Sequence, residues 1–104
     1  MNQQALLKKA RQLQQEMMKT QQEIAESNFK ASAGGVITVY LKGTKELEKV
    51  EISQGFKPES DDDYQMLTEM IVLACKQAYN EIEKTTEEKM GKYQAFLGGM
   101  GSLF

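Results

Sequence analysis

Gln4, Lys8, Arg11, Gln15, Lys19 and Gln22 share one face of the N-terminal segment if it is helical. At about 100° per residue they fall in a band roughly 80° wide. Glu26 is the only acid in that band, while Lys9 and Glu16 lie to one side. Cations attract phosphate and Gln amides donate hydrogen bonds, so this strip suits a polyanion. Lys8, Arg11 and Lys19 are expected as the main phosphate contacts of such a strip, with Lys9, Gln4 and Gln15 secondary. No Arg/Asn cluster stands on a recognition-helix scaffold, so the pattern predicts backbone contact and modest sequence specificity. A solvated helix face has the same periodicity and stays open as the alternative.

Other chemistry is sparse. The chain has no His, which removes Ser-His-Asp triads, Cys-His dyads and His-ligated metals. Cys75 is the single cysteine and reads as a small core residue. The Asp61-Asp62-Asp63 run follows Ser60 and reads as a helix start, because a calcium loop alternates its ligands and contains a Gly. Gly34-Gly35 lacks the length and the Lys of a phosphate loop. The expectation is a protein that is not an enzyme, with no cofactor, metal or small-molecule substrate.

The strip needs a helix beneath it, and residues 3–26 supply one: they contain no Gly or Pro and are rich in Gln, Lys, Glu, Leu and Met. Opposite the strip, Leu6, Ala10, Leu13, Met17, Thr20 and Ile24 form a narrow apolar seam at alternating spacings of four and three. That is coiled-coil spacing over about three heptads, though an amphipathic helix packed on its own sheet has the same pattern. Three strands follow, at Phe29–Ala33, Val36–Leu41 and Leu47–Ser53, punctuated by Gly34-Gly35 and by a turn at residues 43–46. Alternation puts Ile37, Val39 and Leu41 on one face, with Val50 and Ile52 also turned inward. A second helix opens at Ser60 with a capping box and is expected to run to about Lys92, ending or fraying near Gly91. Leu67, Ile71, Ala74, Ala78 and Ile82 make its inner stripe, and Met66, Met70, Val72 and Leu73 extend apolar surface around the other sides. Those four residues are the expected homodimer interface, since a helix that is apolar all round must be covered twice.

At 104 residues the chain is one domain, with 40% apolar and 27% charged residues. Its net charge of −2 is unevenly placed: residues 1–20 carry +3, residues 21–58 balance, and residues 59–92 carry −5. Any polyanion binding by a chain of this charge must use a local patch, here the first helix. No run is long and apolar enough to cross a membrane, and no secretory leader is visible, so no membrane partner and a cytoplasmic location are expected.

Taken in order, the Gln/Met/Lys-rich first helix, the block Gly35-Val-Ile-Thr-Val-Tyr-Leu-Lys-Gly43 with Val50-Glu-Ile52, and a last helix with Leu67, Met70-Ile71, Ala74, Ala78, Ile82-Glu83 and Glu88-Lys-Met90 resemble the YbaB/EbfC family of bacterial nucleoid-associated proteins. The resemblance covers nearly the whole chain. It implies an α+β fold: an α-β-β-β-α protomer whose three-stranded antiparallel sheet is flanked by two long projecting helices, paired as a tweezer-like homodimer. It also implies double-stranded DNA as partner and association with the bacterial nucleoid. Residues 1–94 would form the DNA-binding and dimerisation domain, and residues 95–104 a Gly-rich flexible tail whose Leu103 and Phe104 could dock on a partner. The chain departs from the family in lacking a basic pair in the last helix, where Lys76 and Asn80-Glu81 stand, and in having Gln54-Gly55 where a Pro commonly follows the third strand. The missing cations move the expected DNA contact to helix one. A protein-interaction module, a prefoldin-like holdase gripping clients with its helices, is the alternative, and the pI of about 5.2 favours it.

Overall fold

The structure, a computed structural model, describes residues 2–101. Leu103 and Phe104, and any docking role for them, lie outside the described residues. The order is α1 (Gln3–Glu26), β1 (Asn28–Ala33), β2 (Ile37–Lys42), β3 (Leu47–Ile52) and α2 (Asp61–Gly101). The three strands form one antiparallel sheet in the order β1-β2-β3.

Local chemistry sets the ends. The Asn2 side chain caps α1 by accepting from the Ala5 N–H at 2.7 Å. At the other end the Ser27 hydroxyl donates to the Glu23 carbonyl at 2.6 Å and the backbone turns extended. Gly34 and Gly35, with φ of +63° and +70°, supply the left-handed turn between β1 and β2. The expected cap of α2 is present: the Asp63 N–H donates to the Ser60 hydroxyl at 3.2 Å. The Asp63 carboxylate reaches back to the Glu59 N–H at 2.9 Å, one residue upstream of the standard capping-box partner.

The core lies between the sheet and the first half of α2. Leu67, Ala74, Ala78 and Ile82 bury against Ala33, Ile37, Val39 and Leu41. Ile71, Cys75 and Met70 are half-buried at its margin. Strand β3 differs from expectation. Its register places Val50 opposite Val39 and Ile52 opposite Ile37, on the core face. Yet Leu47, Val50 and Ile52 are 42%, 37% and 45% exposed, because α2 crosses β1 and β2 and leaves β3 uncovered. Inward orientation is set by register; burial needs a second layer.

The C-terminal part of the α1 seam, from Leu13 to Ile24, packs on α2 rather than on the sheet, while Leu6 is 52% exposed. Ile24 joins Met90 and Tyr93 in a second small core, flanked by Leu13 and Met17, and the Thr20 and Tyr93 hydroxyls lie 3.4 Å apart. This packing explains why α2 outruns its expected end near Lys92. Gly91 costs about 1 kcal/mol within a helix, but Met90 and Tyr93 on either side are buried against α1, and tertiary contact outweighs propensity. Helix α2 therefore belongs to two bodies: its first half roofs the sheet, and its second half pairs with α1 in an arm. The molecule measures 71 × 22 × 15 Å, with a radius of gyration of 20.4 Å, against roughly 13 Å for a compact domain of this length.

Where arm meets body, the turn after β2 presses on the end of α1. The Gly43 N–H donates to the Ser27 carbonyl at 3.0 Å. A Cβ at Gly43 would collide with the Ile24 carbonyl oxygen. From the same turn Lys45 reaches the Glu83 carboxylate of α2 at 3.0 Å, bracing the junction.

Candidate nucleic-acid interface

Helix α1 holds its seam against α2, so the opposite face must point outward. Gln4, Lys8, Lys9, Arg11, Gln15 and Lys19 are all exposed there. Their side chains are straight and unbranched, which favours the helix and lets the polar heads extend beyond it. Among the described residues the ion pairs are Lys42–Glu48, Lys45–Glu83 and Lys49–Glu51, and none uses a cation of α1. Gln22 is spent internally, donating to the Glu26 carboxylate at 3.2 Å.

Two shallow, open depressions lie along this side of the helix surface, the second of them bordered by the acid Glu16. Gln4, Leu7, Lys8 and Arg11 line the first, and Gln12, Gln15, Glu16 and Lys19 line the second. Each brings amides and cations together in reach of an external ligand. Sequence periodicity grouped Gln4, Lys8 and Arg11 correctly on one face but passed over Leu7. The signal was available: Leu7 falls outside the seam on the helical wheel, where a large apolar residue has no internal use. Lys9 sits to the side of the band, as its position requires.

The expected interface residues on α2 fall into two states. Val72 and Leu73 are 54% and 43% exposed, while Met66 and Met70 are half-buried. The open face of the sheet carries a second polar group that periodicity did not single out. Lys30, Tyr40 and Lys49 are cross-strand neighbours in one row. Hydrogen bonding to the Glu51 carboxylate raises the Tyr40 phenol above its usual range, and the same bond, with help from Lys49, lowers the Glu51 carboxyl. Lys49 also stands 5.5 Å from the Tyr40 ring centre. These charges are matched within the sheet, unlike those of α1. Among the described residues no group of His, Cys, Asp and Glu is arranged to hold a metal, and no helix is long and apolar enough to cross a membrane.

The model of the YbaB/EbfC DNA-binding family matches residues 1–97. A nucleoid-associated protein of Chloroflexus aurantiacus is 36% identical over 107 aligned positions, covering 100% of both chains. One from Neisseria meningitidis serogroup C is 34% identical over 101 positions, covering 95% of this chain and 91% of the relative. One from Saccharopolyspora erythraea is 35% identical over 99, covering 94% and 84%. Among solved structures, the uncharacterized protein HP0035 from Helicobacter pylori superposes with a TM-score of 0.69 at 15% identity, covering 90% of this chain and 98% of that one. At that identity the likeness is one of fold.

Proposed function

Because this chain belongs to the YbaB/EbfC DNA-binding family, we propose that it acts as a homodimer holding double-stranded DNA by the backbone, through the outward face of α1 in each arm. The observation that carries the reading is the row of exposed cations Lys8, Lys9, Arg11 and Lys19, which form no ion pair among the described residues, on a helix whose other side packs on α2. Lys8, Arg11 and Lys19 contact phosphates, Lys9 assists, and Gln4 and Gln15 donate hydrogen bonds. The relatives named nucleoid-associated protein support a place on the bacterial nucleoid, in the cytoplasm, with an effect on nucleoid organisation or gene expression.

Dimerisation is supported by the uncovered apolar surface: Leu47, Val50 and Ile52 on β3, and Val72 and Leu73 on α2, with Met66 and Met70 beside them. A second copy buries this surface and doubles the strip. Doubling matters because the electrostatic part of affinity grows with the number of phosphates neutralised.

Fluorescence anisotropy of a labelled duplex across a salt series tests the proposal. The logarithm of affinity falls linearly with the logarithm of salt, with a slope of about −0.9 per phosphate neutralised. Lys8→Glu combined with Arg11→Glu lowers affinity at least roughly tenfold and flattens that slope. Binding that ignores salt, or that survives the double reversal, rejects the strip.

A further inference from the structure

The first depression on α1 holds more than phosphate contact requires. Gln4, Leu7, Lys8 and Arg11 line it together. Gln4 neighbours both Leu7 and Lys8 at i,i+3 and i,i+4, and Leu7 neighbours Arg11 at i,i+4. Leu7 is 58% exposed and, among the described residues, is not part of the small core between α1 and α2. A helix with its side chains is about 10–12 Å across, and the major groove of B-DNA is about 12 Å wide. Helix α1 is backed by α2 on one side, so its outer face can enter such a groove. An amide beside an aliphatic side chain is the pair of groups that an A·T base pair offers work to: adenine presents N7 and N6–H2, and thymine presents its C5-methyl.

We infer that the N-terminal turns of α1 enter the major groove and read A·T pairs. The Gln4 amide bonds adenine at N6 and N7, Leu7 packs on the thymine methyl, and Lys8 and Arg11 hold the flanking phosphates. The inference rests on the DNA-binding reading above and adds a base preference to it.

Anisotropy titrations of the full chain against four duplexes of equal length provide the test. One is A·T-rich, one is the same with 7-deazaadenine, one is the same with uracil for thymine, and one is G·C-rich. The A·T duplex is expected to bind about 5- to 10-fold tighter than the G·C duplex, the effect of a single good bidentate contact. Loss of N7 weakens wild-type binding about 5-fold and leaves Gln4→Ala unchanged. Loss of the methyl weakens wild type about 2-fold and leaves Leu7→Ala unchanged. Both substitutions are at exposed positions, and circular dichroism checks that helicity is kept. Salt-dependent binding with equal affinity for all four duplexes overturns the inference while leaving backbone binding intact. A preference for G·C overturns it too, and assigns Arg11 to guanine. Absence of salt-dependent binding to any duplex overturns both readings at once.

Discussion

Tyr40 and Glu51 show how a pair of side chains on an open sheet face can be tuned without burial. Hydrogen bonding between phenol and carboxylate favours protonated Tyr40 and ionised Glu51 together, raising the one and lowering the other. The sign of each effect follows. The raised Tyr40 contributes stability below its ordinary value of 10.0, and that contribution is lost as pH rises through the raised folded value. The lowered Glu51 contributes above the ordinary 4.5, and that is lost as pH falls through the folded value. An alkaline titration followed by tyrosinate absorbance should therefore show one phenol ionising late, and Glu51→Gln should bring it back toward 10.0. An unchanged titration curve in that variant would show that the bond is not formed in solution. The cations of α1 differ from Lys49 at this same scale: Lys49 already has Glu51, whereas Lys8, Arg11 and Lys19 form no ion pair among the described residues.

At the scale of elements, two glycines give opposite predictions. Gly43 lets the β2–β3 turn touch the end of α1, and a methyl there meets backbone that cannot rotate away. Gly43→Ala is expected to destabilise the protein by about 1–3 kcal/mol, read as a lower urea midpoint. Gly55, with nothing near its Cβ position, serves as the control and should change little. Gly91 lies within α2 and also has open space around a built Cβ. Gly91→Ala should raise stability by roughly 0.5–1 kcal/mol, because alanine loses less backbone entropy in a helix. If Gly91→Ala lowers the midpoint instead, the continuous helix through the arm is wrong.

The whole molecule is long because α2 serves body and arm at once. One consequence is that, among the described residues, the face of β3 is left uncovered. Sedimentation at micromolar concentration should give a dimer, and Val50→Asp, placing charge in the uncovered apolar row, should shift it to a monomer. A chain that sediments as a monomer before any substitution defeats the proposed assembly. The arms carry the basic strip on α1 while residues 59–92 carry −5. DNA should accordingly approach the α1 side.

Sequence alone determined the element order, the cap of α2, the core faces of β2 and α2 and the face of α1 that carries the basic strip. Each is a local property, fixed by residue type and by periods of 3.6 or 2 that a single segment reveals. Ser60 and Gly34-Gly35 mark boundaries in the sequence as clearly as in the structure. Three features needed the tertiary structure: the seam of α1 lying on α2, the exposure of Val50 and Ile52, and the passage of α2 through Gly91. Each depends on which of several equally apolar surfaces meet. An apolar stripe states that it must be covered and carries no label for its partner, so that choice is made by the geometry of the folded chain.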